Sequence, residues 1–233
     1  MKNAERFIEI YNKVDKILRN LDNEEFESFT SKIRKSSNPL IKNFKEKLID
    51  YAQLRNAIVH NPKIGGQFIA IPLDEVTIDF ENILFKLQNP KKVIPLFQFE
   101  VIGAERNDKL DKLLAKMKEH SFSQFPVFEN GRVVEIITTN TISRWLSRNI
   151  IDNHIMEENP VIESLMGDIE FAKNYKFISR DENIYTAFNM FLSHIENNKR
   201  NLDAIFITQN GKSDQNLLGL ITIEDIALQI NAA

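Results

Sequence analysis

A ten-residue stretch, LLGLITIEDI at residues 217–226, decides the fold of this chain. Its apolar first half predicts a strand, and Thr222 stands at the junction between that strand and a following helix. Asp225 comes three residues later, which is about one helical turn. We therefore expect a hydroxyl and a carboxylate to lie together where the helix begins.

The same arrangement occurs earlier in the chain. An apolar run ends at Phe128, a turn follows at Asn130-Gly131, and a second apolar run leads into Thr138, which opens a helix. Each copy is preceded by one more strand and one more helix, so the pattern predicts a β-α-β-β-α unit that occurs twice. The expected preceding elements are a strand at 97–102 and a helix at 108–120 in the first copy, then a strand at 176–178 and a helix capped by Asp181 in the second.

Residues 1–90 have a different character, because their apolar residues recur at helical spacing. The predicted helices cover the first 21 residues, 24–35, 39 to about 60, and a last segment that Asp74 caps, with a short strand at 67–71. The expected fold class is therefore α+β. An all-α N-terminal domain is followed by a tandem pair of β-α-β-β-α units.

Composition narrows the classes of function. The chain has 233 residues, a net charge of -3 and no Cys, which excludes disulfides, Cys-ligated zinc and thiol nucleophiles. No basic field draws the whole chain onto nucleic acid, and no apolar run is long enough to cross a bilayer. Its four His show no metal-ligand spacing. We expect a cytoplasmic protein with no metal and no membrane partner.

The repeated motif resembles the CBS domain, named after cystathionine β-synthase, whose copies pair into Bateman modules. The resemblance covers residues 97–230 and is carried by residues 218–226 and by 125–131 with Thr138. It divides the chain into a helical domain at 1–90, CBS 1 at 97–150, a connection at 151–175 and CBS 2 at 176–233. It also implies a sensory module that binds adenosine-containing ligands between the copies.

The residue types of the motif are suited to bind such a ligand. A Thr hydroxyl suits a ribose or phosphate, and an Asp one turn later can accept both protons of a cis-diol. Thr222 and Asp225 meet this requirement, whereas the first copy has Thr138 with Thr141 in place of the Asp, and Glu135 where the second copy has Gly. We expect the first site to be the weaker one, with Glu135 crowding or repelling a phosphate. The alternative for Thr222 and Asp225 is a helix capping box without any ligand.

Two further residues complete the expected ligand site, Ala204 and Ile205, at the start of a strand in the second copy. The expected ligand is an adenine nucleotide, similar to AMP or ATP, that acts as a regulator. No cofactor is required.

A second constellation, LRNAIVHNP at residues 54–62, lies in the helical stretch. Asn56 and His60 are four residues apart and share a helix face, and the long side chain of Arg55 can reach them. The run resembles the Arg-His motif of the HEPN superfamily, which contains metal-independent ribonucleases whose active sites form across a dimer. The resemblance implies that Arg55 holds a phosphate, His60 transfers protons and Asn56 orients one of them. The alternative is structural: His60 caps helix carbonyls and Arg55 pairs with Asp50.

Three functions follow from these observations. The first is a homodimeric regulatory protein that senses an adenosyl ligand and controls the helical domain. The second is a ribonuclease gated by that sensor, with RNA as its partner, although the acidic charge disfavours tight RNA binding. The third is a dimerisation scaffold with an empty cleft.

Overall fold

The protein is an α+β chain of two compact units, Met1–Lys91 and Lys92–Ala233. A computed structural model describes residues 2–22, 27–61, 65–66, 68–151, 154–155 and 159–231. Within these ranges, no helix combines the length and the apolar character needed to cross a membrane.

The described part of the first unit is built from helices. Its core is lined by the apolar stripe of the first helix, including Phe7 and Val14, and by Leu48, Phe80 and Ile83 from later helices. The Phe7 ring packs against those of Tyr51 and Phe80 at centroid distances of 5.7 and 5.0 Å. The helices are α1 (Lys2–Asp22), α2 (Phe29–Lys35), α3 (Pro39–Asn43), α4 (Lys45–His60) and α5 (Asp74–Gln88).

Several helix boundaries differ from the sequence expectation. The helix expected from Pro39 to His60 is two helices, because Phe44 leaves the helical conformation and ends α3. Asp74 is the first residue of α5 and not its cap. Residues 68–71 form no strand, and α2 begins at Phe29, while the expected positions 24–26 and Gln67 lie outside the described residues.

The second unit contains two three-stranded sheets with the same strand order. In each sheet the first strand runs parallel to the second, and the second pairs with the third as an antiparallel hairpin. Both hairpins have a register irregularity at a corresponding place, between Val127 and Phe128 and between Ile207 and Thr208. This shared irregularity supports a duplicated unit, since bulges are built features of a fold.

The elements of the second unit follow the predicted order twice. The two halves pack through one apolar cluster, to which the first contributes Val133 and Ile136 and the second Ala204 and Phe206. The elements are α6 (Val93–Leu96), β1 (Ala104–Glu105), α7 (Leu110–His120), β2 (Gln124–Glu129), β3 (Arg132–Thr138), α8 (Thr139–Asn149), β4 (Ile150–Ile151), β5 (His154–Ile155), a 3-10 helix (Ile162–Asp168), β6 (Tyr175–Ser179), α9 (Ile184–Asn198), β7 (Ala204–Thr208), β8 (Leu217–Ile221) and α10 (Ile223–Asn231).

The strand expected at 97–102 is absent, and this prediction was wrong. The segment instead crosses β8, where Phe99 N–H donates to Leu218 O at 3.3 Å. A Cβ on Gly219 would lie 1.9 Å from Phe97 O, so only Gly admits this backbone. The apolar residues of the segment cover the sheet without joining it.

The starts of α9 and α7 also differ from the expectation. The side chain of Asn183, not Asp181, accepts the N–H groups of Tyr185 and Thr186 at the start of α9. Asp108 lies before α7 and accepts the N–H of Glu105 at 2.9 Å, so it closes a turn. At α9 two Asx side chains lie within three residues, and the sequence does not decide which one caps the helix, whereas α7 has Lys109 at its N-cap and no side-chain cap.

Candidate ligand-binding site

One cleft of the second unit has a volume of about 590 Å³. Three segments line it: residues 97–102 before β1, residues 121–126 between α7 and β2, and residues 220–225 at the junction of β8 and α10. We call it the aromatic cleft. The two halves both contribute, because only the last segment belongs to the second half.

Thr222 and Asp225 meet in this cleft as the sequence predicts. The Thr222 hydroxyl donates to Asp225 Oδ2 at 2.8 Å, and the Thr222 N–H donates to the same oxygen at 2.9 Å. The Asp225 N–H in turn lies 3.3 Å from the Thr222 hydroxyl oxygen. This is a reciprocal helix cap. It fixes the carboxylate and leaves Oδ1 with no donor among the described residues.

The opposite wall of the cleft is aromatic. Phe99 and Phe122 are 46% and 41% exposed, although large apolar side chains are usually buried. Phe97 is nearly buried beside them and Val101 extends the apolar surface. Exposed rings in a concave site provide stacking surface for a planar heterocycle.

The charges in the aromatic cleft are negative. Glu224 and Asp225 line it, and its described lining includes no Lys or Arg. The N-terminus of α10 supplies a partial positive charge, which the two carboxylates offset. This environment favours a ligand with little negative charge.

Ala204 and Ile205 do not reach this cleft. Both are completely buried in β7, the central strand of the second sheet, where Ala204 packs against Val133 and Ile136 and Ile205 pairs with Ile221. Neither residue lines the aromatic cleft or the cleft at Thr138, so their role as ligand contacts stays a prediction.

Thr138 and Thr141 line a second cleft of about 300 Å³, which we call the polar cleft. Its other walls come from residues 169–174 before β6 and residues 200–203 between α9 and β7, and it adjoins the aromatic cleft at Ser123 and Gln124. The two Thr side chains cap α8 reciprocally, with their hydroxyl oxygens 3.2 Å apart. The two hydroxyl groups are hydrogen-bonded to each other. Because Thr141 stands where the second half has Asp225, this pair has no carboxylate to offer a ligand.

Glu135 does not crowd this cleft, contrary to the expectation. Its side chain is 5% exposed, and it accepts the N–H of Lys173 at 2.8 and 3.0 Å. Glu135 and Gly219 occupy corresponding positions in the two halves. Gly219 leaves room for the backbone of Phe97, which precedes β1 of the first half. Glu135 accepts the N–H of Lys173, which precedes β6 of the second half.

Sequence reasoning missed this exchange of segments between halves. We call residues 97–102 and 169–174, which precede the first strand of each half, the entry segments. Each Thr motif faces the entry segment of the opposite half, so Thr222 faces 97–102 and Thr138 faces 169–174. The sequence feature that indicates this exchange is the apolar run at Phe97, Phe99 and Val101, but the same run also predicts a strand. Pairing between halves is a tertiary property that periodicity does not encode.

Arg55, Asn56 and His60 form a surface cluster on α4 of the first unit. Arg55 Nη1 lies 3.2 Å from His60 Nε2 and donates to Asn56 Oδ1 at 3.3 Å. The guanidinium sits over the Tyr11 ring at 5.1 Å, and its Nε is buried without a hydrogen-bond partner. The three residues therefore converge, and His60 is exposed.

The described residues contain no group of three His, Asp or Glu side chains arranged to hold a metal ion. Charged clusters near the polar cleft are ion pairs instead. Arg148 binds Asp168 at 2.7 Å and Arg144 lies 3.7 Å from Glu170. These two arginines are thus committed to carboxylates.

Comparison with curated protein sequences gave no significant match. Solved structures of CBS-domain proteins are similar at low identity. A putative signal-transduction protein with CBS domains from Burkholderia ambifaria is 14% identical over 57% of this chain and 84% of its own, with a TM-score of 0.42. The CBS domain pair of protein MJ0100, in complex with 5′-methylthioadenosine and S-adenosyl-L-methionine, is 18% identical over 61% of this chain and 98% of its own, with a TM-score of 0.44.

The CBS domain of a bacterial CNNM/CorC family Mg²⁺ transporter, in complex with ATP, is 15% identical over 60% of this chain and 87% of its own, with a TM-score of 0.42. Because these scores are low, ligand assignment rests on the geometry of this chain alone. The family model of the CBS domain matches residues 98–148, which contain β1, α7, β2, β3 and nearly all of α8. The first half of the second unit is therefore similar to a CBS domain over residues 98–148.

Proposed function

We propose that this protein is a regulatory sensor that binds an adenosine-containing ligand in the aromatic cleft and controls the helical unit. The second half, with its matching element order, acts as the other CBS domain of the pair. The observation that carries the proposal is the fixed carboxylate of Asp225. Its Oδ1 has no described donor and lies in a cleft with exposed Phe rings.

A ribose and a purine match the two sides of the cleft. The cis-diol of a ribose donates two hydrogen bonds, and a carboxylate held by Thr222 can accept them without reorganising. The purine stacks on Phe99 or Phe122, which replaces water on apolar surface that is otherwise exposed. The volume of about 590 Å³ lies within the usual range for small-molecule sites.

The charge of the cleft refines the ligand class. Glu224 and Asp225 repel each phosphate added to the nucleoside, and no described lining residue is a Lys or Arg. We therefore expect adenosine and 5′-methylthioadenosine to bind more tightly than AMP, and AMP more tightly than ATP.

Titration calorimetry of the full chain with adenosine, 5′-methylthioadenosine, AMP and ATP tests this assignment. Asp225→Asn should weaken the tightest ligand by about ten- to a hundredfold, because it removes hydrogen bonds to a charged group. The amide oxygen of Asn can still accept the N–H and hydroxyl of Thr222, so the variant keeps the reciprocal cap and separates binding from folding. The control is Asp214→Asn, an exposed residue on a loop outside the cleft. Equal affinity in both variants would reject Asp225 as a ligand contact.

A second candidate function is metal-independent cleavage of RNA by the helical unit. The convergence of Arg55, Asn56 and His60 supports it, because a guanidinium beside an imidazole can bind a phosphate and transfer protons. His60 is the last residue of α4 and is exposed, so a substrate could reach its ring. The adenosine ligand would regulate this activity.

The test incubates the protein with single-stranded RNA in EDTA, and compares the wild type with His60→Ala. We expect cleavage by the wild type and at least a hundredfold loss in the variant, since general acid-base catalysis contributes about that much. His154→Ala, in the second unit, is the control for a contaminating nuclease. Equal cleavage by all three proteins, or none by the wild type, would leave the helical unit without catalysis.

A further inference from the structure

The polar cleft contains an unsatisfied hydrogen-bond acceptor. Asn174 lines the cleft and is only 3% exposed, and its Oδ1 is buried without a partner. Its Nδ2 donates to Asn201 O at 2.9 Å, so the amide is fixed in place. A buried acceptor without a donor costs free energy, and a ligand with an N–H group would remove that cost.

Arg200 supplies an uncommitted cation at the same cleft. Its guanidinium stacks on the Phe171 ring at 4.1 Å, and its Nε is buried without a hydrogen bond. The described residues offer Arg200 no salt bridge, although Asp203 is close enough to affect it electrostatically. A stacked guanidinium of this kind is well suited to bind a carboxylate through two parallel hydrogen bonds.

Asp203 supplies the opposite charge. Burial raises the pKa of its carboxyl, and the nearby Glu135 and Glu170 charges act in the same direction, while Asn174 and Arg200 oppose them. A desolvated carboxylate that no described cation pairs is stabilised by a cationic ligand group. The Asp203 N–H donates to Asn174 O at 2.9 Å, so the backbone holds both residues together.

From these groups we infer that the polar cleft binds a small zwitterionic metabolite of the α-amino acid class. Arg200 takes the ligand carboxylate, while Asp203 and Asn174 Oδ1 accept hydrogen bonds from its ammonium. The volume of about 300 Å³ is half that of the aromatic cleft and suits a ligand of this size. The reciprocal cap of Thr138 and Thr141 contains no carboxylate, so the start of α8 has no counterpart of Asp225.

The two clefts adjoin at Ser123 and Gln124, but the charged groups of this site, Arg200 and Asp203, line only the polar cleft. The protein would then report two unlike metabolites, one in each cleft. Adenosine and an amino acid should raise the melting temperature together by more than either does alone, since each binds the folded state.

The test is a thermal-shift screen of the full chain against the twenty proteinogenic amino acids at millimolar concentration, followed by calorimetry. For each amino acid that raises Tm, the decarboxylated amine and the deaminated acid are matched controls. At least one amino acid should bind, and both analogues should bind at least tenfold more weakly. The inference is overturned if no amino acid raises Tm, or if an analogue binds as tightly as its parent.

Variants then locate the site. Arg200→Met and Asp203→Asn should each weaken binding by about ten- to a hundredfold, the effect of losing a charge-assisted hydrogen bond. Arg132→Met and Asp214→Asn remove the same charges from exposed positions outside both clefts and should bind normally. Equal binding by all four variants would place the amino acid elsewhere and overturn the inference. If Arg200→Met loses its cooperative melt, Arg200→Lys replaces it, because it keeps the charge but loses the planar fork.

Discussion

Two charged side chains of this protein, Asp225 and Lys32, are held by hydrogen bonds in different environments. Asp225 is held by its own helix cap yet keeps one oxygen open, so the same bonds that end a helix also present a ligand contact. Lys32 is the opposite: it is 1% exposed in the helical core and pairs with Asp15 at 3.2 Å. Burial alone therefore does not mark a functional charge, and the open oxygen is what distinguishes Asp225.

The buried Lys32 gives a prediction about stability. Asp15→Asn leaves the Lys32 ammonium in the core without its anionic partner, and breaking a buried pair from one side costs about 3 kcal/mol. Chemical denaturation should show this loss in the free energy of unfolding. The additional Lys32→Met substitution should restore part of it, because the charge is then gone.

Glu9→Gln is the matched control for that experiment. Glu9 also forms an acid-lysine pair, with Lys13 at 2.7 Å, but on an exposed face of the same helix α1. Exposed pairs of this kind contribute little, so the midpoint of unfolding should not change. If Asp15→Asn and Glu9→Gln unfold alike, Lys32 is not stabilised by its buried partner.

At the scale of elements, both clefts form where the entry segment of one half crosses the sheet of the other half. In one half Gly219 leaves room for the backbone at Phe97, and in the other the Glu135 carboxylate accepts the Lys173 N–H. The first crossing depends on the missing side chain of Gly219, and it places Phe97 and Phe99 at the aromatic cleft. The second depends on the buried carboxylate of Glu135, and it places Asn174 at the polar cleft.

Gly219→Ala tests the first crossing. A Cβ there would lie 1.9 Å from Phe97 O, which is backbone and cannot rotate aside. We expect a loss of about 1–3 kcal/mol in unfolding free energy, the usual cost of overpacking, together with weaker adenosine binding. Gly167→Ala is the control, because its Cβ would meet no atom within 4 Å. Equal stability of the two variants would show that the entry segment is not held at this point.

The sequence predicts the elements of each half well but not how the halves combine. Apolar alternation and the Asn130-Gly131 turn place β2 and β3, and Thr138 begins α8 as expected. The segment 97–102 was misassigned because an apolar run looks the same whether it joins a sheet or covers one. The complete burial of Ala204 and Ile205 was also beyond the sequence, because it follows from packing between the halves, which the local pattern does not contain.

At the scale of the whole molecule, the chain combines a helical unit with a second unit made of two similar halves. The interpretation as a sensor requires that ligand in one unit changes the state of the other. A ligand shifts an equilibrium only by its difference in affinity between two states, so tight binding in the aromatic cleft is not sufficient. A scaffold would bind without such a difference.

Hydrogen-deuterium exchange on the full chain separates these two functions. If adenosine favours one state of the helical unit, the amides of α4 around Arg55 and His60 should exchange about five- to tenfold more slowly with ligand, the effect of a modest coupling free energy. Asp225→Asn is the control: at the same adenosine concentration it should show no slowing in α4, because the ligand contact is lost. Slowing confined to residues 97–102, 121–126 and 220–225 would mean that the cleft binds adenosine without controlling the helical unit. Slowing in α4 of the wild type, absent in the variant, is the result that a sensor requires and a scaffold does not produce.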